Sequence, residues 1–428
     1  MSILIKNARI IDPSQKIDSK GSIYIEKGEI ISCGGASKKK ADTVIDAGGK
    51  IAAPGFIDMH AHLREPGRED QETIRSGLRA AVAGGFTTVC AMPNTDPPCD
   101  SQAHVKFLLE KAREAKMADL LPVGTITRRR EGKEISEMGE LKASGAPALS
   151  DDGSSVEDAE LMRRAMEYAS MLDLLIISHC EDKALAGKGV MREGYWSTVL
   201  GLEPIPAEAE STVVERDARL AELAGARLHI AHVSTEQSVD IIRAAKKRGV
   251  KITAEATPHH FSLHDRDLRT FDTNMKVNPP LGTEKDVKAV RQGLRDGTID
   301  VIATDHAPHL ESEKEKEFDY APFGMIGFET ALSLAVMNLV DSGILDWGQL
   351  IGKLTANPAA ILKAGKGTLK EGSPADVVII DPGKEWTYDK KQIRSASSNS
   401  PFVGKKMKAS VTHVIRGGRP VYRNGQLV

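Results

Sequence analysis

Pro54-Gly55-Phe56-Ile57-Asp58-Met59-His60-Ala61-His62-Leu63-Arg64 is an apolar run that ends in polar side chains. In an extended chain the two-residue side-chain period sets His60, His62 and Arg64 on one face. Comparable runs end near Met92, Gly124, Ser150, His179, Val233, Ala256 and Asp305, which makes eight in all. A segment with helical apolar spacing follows each, over 72–83, 102–116, 135–143, 156–171, 208–224, 236–248, 284–295 and 326–340. Eight strand–helix units over roughly 280 residues match the ~250 residues typical of a (β/α)8 TIM barrel. An open, doubly wound α/β sheet shows the same alternation, but the count favours the barrel. The Gly-x-Gly-x-x-Gly and Gly-x-x-x-x-Gly-Lys-Ser/Thr signatures of nucleotide-binding open sheets are missing from the sequence.

Outward from this middle, both ends change character. Short β-rich runs at 3–5, 8–11, 22–26 and 29–33, with Lys27-Gly28 marking a hairpin turn, precede it, and runs at 375–380, 411–415 and 420–422 follow it. The predicted organisation is a barrel over 54–365 and one small β-sandwich built from both termini, 1–53 and 366–428.

Composition narrows the function. The 58 Lys+Arg nearly balance the 60 Asp+Glu, so no overall basic field favours nucleic acid or anionic lipid, and 4% aromatic content leaves little for base stacking. Cys33, Cys90, Cys99 and Cys180 form no Cys-x-x-Cys, which argues against a disulfide framework or a thiolate zinc site and fits a reducing cytoplasm. The longest apolar stretch, 331–340, is about half of a ~20-residue membrane span, and the first residues lack a signal-peptide pattern. A soluble protein with neither nucleic acid nor membrane as partner is expected.

The 12 histidines concentrate at predicted strand ends. His60 and His62 end the first run, Asp151 and Asp152 the fourth, His179 the fifth, His232 the sixth, and Asp305 and His306 the eighth. In a barrel these C-terminal ends share one functional rim. A lone His-x-His on a strand is more often structural, but four imidazoles with carboxylates suit two divalent ions about 3.5–4 Å apart, bridged by a carboxylate and a water. Such a site hydrolyses amide-like bonds. Asp305 is then the candidate proton carrier between water and leaving nitrogen, against the plainer reading of a capping Asp before Pro308. Arg64 beside cations calls for an anionic substrate group. Asn94 and Asn278 offer amide hydrogen bonds, although each also suits a turn beside proline. Strand alternation alone leaves Asp151 and Asp152 equal as the bridging group.

The segments 54–67 and Ala303-Thr304-Asp305-His306-Ala307-Pro308-His309 resemble the two signatures of the dihydroorotase family, in the cyclic amidohydrolase superfamily. Further matching motifs lie at 91–95, 150–153, 178–181, 232–235, 257–260 and 276–280, so the likeness covers nearly the whole chain and is to the long bacterial-type class. The resemblance implies zinc-dependent, reversible cyclisation of N-carbamoyl-L-aspartate to dihydroorotate in pyrimidine synthesis. It implies two zinc ions, one held by His60 and His62 and the other by His179 and His232, with Asp152 as bridge and Asp305 as ligand and catalytic base. Substrate contacts are implied for His62, Arg64, Asn94, Asn278 and His309, with the backbone of Phe323 and Gly324. Many relatives bridge their metals with a carboxylated lysine, whereas Asp stands at that point here. A homo-oligomer and an aspartate transcarbamoylase complex are possible partners by the same resemblance.

Lesser signals have plainer readings. Arg128-Arg129-Arg130 reads as a solvated loop, 310–322 as a charged loop or a lid, and His259 and His260 as structural support near the rim. The rival functions are a hydantoinase, dihydropyrimidinase or allantoinase acting on a neutral ring, or a non-catalytic scaffold for a transcarbamoylase. Arg64 argues against the first, because a neutral ring leaves its charge unpaired. The intact ligand positions argue against the second.

Overall fold

Eight parallel strands succeed one another through the middle of the chain in the computed structural model, which describes residues 1–36 and 39–428. They are Phe56–Ala61, Phe86–Ala91, Asp119–Gly124, Ala148–Ser150, Leu175–Ser178, Arg227–Ile230, Ile252–Ala256 and Val301–Ile302, each paired to the next in chain order. The end of the eighth returns to the first. Ala61 bridges His306 in parallel, the His62 N–H donates to the His306 carbonyl at 2.8 Å, and the Asp305 N–H to the His60 carbonyl at 3.0 Å. These contacts close the sheet into a barrel, which excludes the open doubly wound arrangement.

Cys90, Met92, Val123, Ala148, Leu175, Ile177, Val301 and Ala303 share one buried cluster with Ala359 and Leu362 of the helix Ala356–Leu362. His179 follows directly on the strand end at Ser178, and Asp305 lies in the loop just after Ala303. The apolar packing below thus continues upward into the polar groups of the rim.

Four helices start where their apolar spacing suggests, at Gln102, Glu208, Glu236 and Glu284, and those expected from 72 and 156 start two to three residues later, after caps in extended conformation. Thr73 caps Ile74–Ala83 with a reciprocal Ser76 bond, Asp158 caps Ala159–Met171, and Thr283 caps Glu284–Asp296. The segment expected over 326–340 turns helical only at Ala331–Ala335 and continues through Val336–Val340. Among the described residues no helix is long and apolar enough to cross a membrane.

The two chain ends form one nine-stranded sheet. Its N-terminal strands are Ser2–Asp12, Ile17–Glu26, Glu29–Cys33, Thr43–Asp46 and Ile51–Pro54, and its C-terminal ones Val377–Thr387, Lys406–Arg416, Arg419–Arg423 and Gln426–Leu427. The ends join where Ile51 to Pro54 pair antiparallel with Val377 to Ile380. Runs 3–5 and 8–11 prove to be a single strand with an irregularity between Ile5 and Ala8. The expected hairpin lies at Lys27-Gly28, whose φ of 51° and 90° are the left-handed pair that a tight two-residue turn demands. Ile3, Ile5, Ile10, Ile23, Ile25, Val377, Ile379 and Ile415 give this sheet a core of its own.

Candidate metal centre and active site

His60, His62, Asp152, His179, His232 and Asp305 converge at the C-terminal end of the barrel, all nearly inaccessible to solvent. His60 Nε2 faces Asp152 Oδ1 at 3.3 Å and Asp305 Oδ1 at 3.7 Å. His62 Nε2 lies 3.0 Å from Asp305 Oδ1 and 3.6 Å from Asp152 Oδ2. His179 Nδ1 is 2.9 Å from His232 Nε2, and both nitrogens approach Asp152 Oδ1, at 3.6 and 3.8 Å. The ligand atoms of His60, Asp152 and His232 fall within 4.8 Å of one another, and so do those of His60, His62 and Asp305.

Two of these atoms have nothing else to do. His60 Nε2 and Asp152 Oδ1 are buried without a hydrogen-bond partner, a costly condition that a coordinated cation relieves. His60 Nδ1 and Glu255 Oε1 are 2.7 Å apart. Glu255, held near a pKa of about 2 despite its burial by the rings of His60 and His229, is an acceptor only, so Nδ1 carries the proton and Nε2 offers its lone pair inward. Asn94 Oδ1 does the same for His62, accepting from Nδ1 at 2.9 Å. The donor set therefore fits divalent cations.

The electrostatics agree. Burial opposes ionisation of Asp152 and Asp305, yet the rings of His60, His179 and His232 hold Asp152 well below the usual carboxylate range, and His62 and His60 do so for Asp305. Burial likewise opposes charge on His179, but Asp152 and Glu181 raise it to about 9. Asp151 differs from its neighbour. Burial lifts it to about 6, and its oxygens accept from the Ile126 N–H at 2.8 Å, the Thr127 N–H at 3.1 Å and the Thr127 hydroxyl, so it shapes the third rim loop while Asp152 faces the histidines.

Arg64 is not on the strand face shared by His60 and His62, because the strand ends at Ala61 and Arg64 turns to φ 60°. His232 at φ 33° and Asp305 at φ 47° lie in the same region. Left-handed backbone at non-glycine residues costs on the order of 1–3 kcal/mol each, and its concentration at a rim of polar groups is typical of functional sites. Arg64 Nε donates to the Pro308 carbonyl at 3.1 Å, and no carboxylate among the described residues is bonded to the guanidinium. Burial draws its pKa down to about 10.

The remaining substrate candidates have protein partners. Asn278 Nδ2 donates to Glu181 Oε2, itself 3.4 Å from His179 Nε2. His309 Nε2 and the Phe323 carbonyl are 2.8 Å apart. His309 Nε2 also lies 3.2 Å from Arg64 Nη2, and its Nδ1 faces Gln71 Nε2 at 3.3 Å, itself a donor to Glu313 at 2.7 Å. Gly324, at φ 129°, has no room for a side chain, since a Cβ would sit 2.7 Å from that of Ala307.

Sequence reasoning passed over Glu255 and Glu181. A carboxylate inside the apolar strand Ile252–Ala256 was the available signal for Glu255. Arg130 departs from the solvated-loop reading, for it folds inward to donate to the Asp152 carbonyl and to Ser154 Oγ at 3.1 Å. In 310–322, buried Lys314 donates to the carbonyls of Pro322 at 2.8 Å and Gly324 at 3.0 Å, which ties the segment down. His260 is bonded to Thr257 and the Pro279 carbonyl, whereas buried His259 keeps Nε2 without a partner. A cavity of about 300 Å³ walled by Trp386, Tyr388 and Tyr422 lies against the terminal sheet and includes none of these groups.

Comparison with known proteins is consistent with this arrangement. A family model described as Dihydro-orotase-like matches residues 49–238. The chain is 51% identical over 424 residues to the dihydroorotase of Endomicrobium trichonymphae, covering 99% of this chain and 100% of that one. It is 50% identical over 427 residues to the dihydroorotase of Elusimicrobium minutum (strain Pei191), covering 100% and 99%. Among solved structures it resembles a D-hydantoinase (dihydropyrimidinase) from Thermus sp., with TM-score 0.86 and 27% identity over 100% of this chain and 96% of that one. The L-hydantoinase of Arthrobacter aurescens, at 24% identity and TM-score 0.89 over 100% and 97%, shares the fold.

Proposed function

The chain belongs to the dihydroorotase family of metal-dependent cyclic amidohydrolases, and from that premise we propose that it interconverts N-carbamoyl-L-aspartate and dihydroorotate in cytoplasmic pyrimidine synthesis. Zinc would be the metal, two ions per chain: His60 and His62 would hold one, His179 and His232 the other, with Asp152 and Asp305 as the carboxylate ligands. When bound, the ions supply Lewis acidity that activates a water and polarises the ring carbonyl.

The protein's own groups do the rest. In the hydrolytic direction the water oxygen bonds to the carbonyl carbon, the ring C–N bond breaks, and Asp305 takes the water proton and delivers it to the departing nitrogen. Ring closure reverses each transfer and releases water. The position of Asp305 supports this role, since its Oδ1 lies 3.0 Å from the inward Nε2 of His62 and so beside the place where the water would be activated. Glu255 and Asn94 fix the imidazoles whose free nitrogens face inward, and burial excludes competing solvent.

The observation that carries the choice of substrate is Arg64. A half-buried guanidinium with no carboxylate bonded to it is satisfied when a ligand supplies one, and dihydroorotate bears a carboxylate where hydantoin and dihydrouracil bear none. Zinc-loaded protein given dihydroorotate, dihydrouracil, hydantoin and allantoin side by side should turn over the first, lose that activity to a chelator and regain it with zinc. Turnover confined to the neutral rings overturns the proposal in favour of a hydantoinase.

A further inference from the structure

Between the C-terminal strands Val377–Thr387 and Lys406–Arg416 the chain leaves the terminal sheet and crosses to the barrel rim as an irregular segment, residues 394–400. It is anchored along its length. The Arg394 N–H donates to Glu329 Oε1 at 2.6 Å, Ser395 Oγ and the Ala396 N–H (3.0 Å) donate to Glu72, and Ser397 Oγ donates to the Gln71 carbonyl at 2.7 Å. Glu72 in turn lies 3.2 Å from His306 Nε2, and His306 Nδ1 accepts from the Gly327 N–H at 3.1 Å, which leaves Nε2 as the donor to Glu72.

Buried Asn399 makes the next connection. Its Oδ1 accepts from the His309 N–H at 3.1 Å, and its Nδ2 donates to the carbonyls of Ala307 at 3.0 Å and Gly324 at 3.2 Å. Backbone groups fix which end of the amide is which. Asn399 therefore grips the chain on both sides of Pro308, whose carbonyl is the acceptor for Arg64 Nε.

We infer that Asn399 is a positioning residue for substrate specificity: through Pro308 it sets the direction of the Arg64 guanidinium, so the terminal unit helps build the pocket for the substrate carboxylate. The inference rests on the proposed role of Arg64. Without the amide, the 307–309 turn loses two of its bonds and its tie to Gly324, and Arg64 keeps its charge but not its aim. Loss of direction weakens binding more than chemistry, because Asn399 makes no bond to Asp305 or to the four metal-facing histidines.

Asn399→Ala should raise KM for dihydroorotate on the order of tenfold, with kcat changed less than about threefold and zinc content unaltered. Asn399→Asp keeps the acceptor for His309 but sets a carboxylate oxygen against the Ala307 and Gly324 carbonyls, so its KM should rise at least as far as that of Asn399→Ala. If the alanine variant does not fold, the aspartate variant carries the test alone. A folded variant with KM within about twofold of wild type, or a fall in kcat at constant KM, overturns the inference. A wild-type protein inert towards dihydroorotate strikes instead at the functional reading beneath it.

Discussion

His60 and Asp305 sit at opposite ends of the barrel sequence and meet through the backbone bond that closes it. At this scale the site is a matter of which nitrogen faces inward, and that is decided by acceptors such as Glu255 and Asn94 on neighbouring strands and loops. The inward residues were legible because strand period and strand end together mark them. Their orienting partners were not, since no local spacing links Glu255 to His60 across 195 positions. Nor does any period foretell the positive φ of Arg64, His232 and Asp305, for those torsions belong to loops shaped by tertiary contacts. Asp305→Asn keeps the shape and an oxygen ligand but removes the proton carrier. With zinc in excess, kcat for dihydroorotate hydrolysis should fall about 10²–10⁴-fold; a fall smaller than about tenfold removes Asp305 from the proton path.

At the level of elements, alternation of apolar runs located all eight strands and their helices, while caps and short strands blurred the edges. The eighth strand is only Val301–Ile302, and the polar run after it is loop held by Asp58 and the first strand. The stretch after that strand also carries a pH-sensitive contact with the terminal unit. Glu329 accepts from Tyr388 Oη at 2.9 Å and from the Arg394 N–H, and burial pushes its pKa up to about 7. Below the ordinary carboxylate pKa the neutral acid is favoured in both states and its stabilising contribution is complete. As pH rises towards 7 the unfolded chain gives up the proton first, so that contribution is lost. Unfolding free energy should therefore decline by about 1–2 kcal/mol from pH 4.5 to 7 on account of this group, discounted for partial exposure. Denaturant melts of Glu329→Gln should show a flatter profile over that window, and an unchanged slope contradicts the assignment.

For the whole molecule, the fold says less than the rim. Hydantoinases share the architecture over the full chain, so the barrel alone does not choose a substrate. The choice rests on Arg64 and on the turn that aims it, and that turn is tied to a segment near residue 399. The near balance of 58 basic and 60 acidic residues gives no basic field to favour nucleic acid, and the β character of both ends announced their union. That the C-terminal part reaches the rim was invisible, because 394–400 lacks periodicity and its bonds run to residues 71–72 and 307–324. The central claim is that six side chains from five strand ends grip divalent cations in one pocket. Diffraction from zinc-grown crystals on either side of the zinc absorption edge tests it most directly: two anomalous peaks should stand about 2.0–2.3 Å from the inward imidazole nitrogens and the Asp152 and Asp305 oxygens, and a map without density among those six groups contradicts the account.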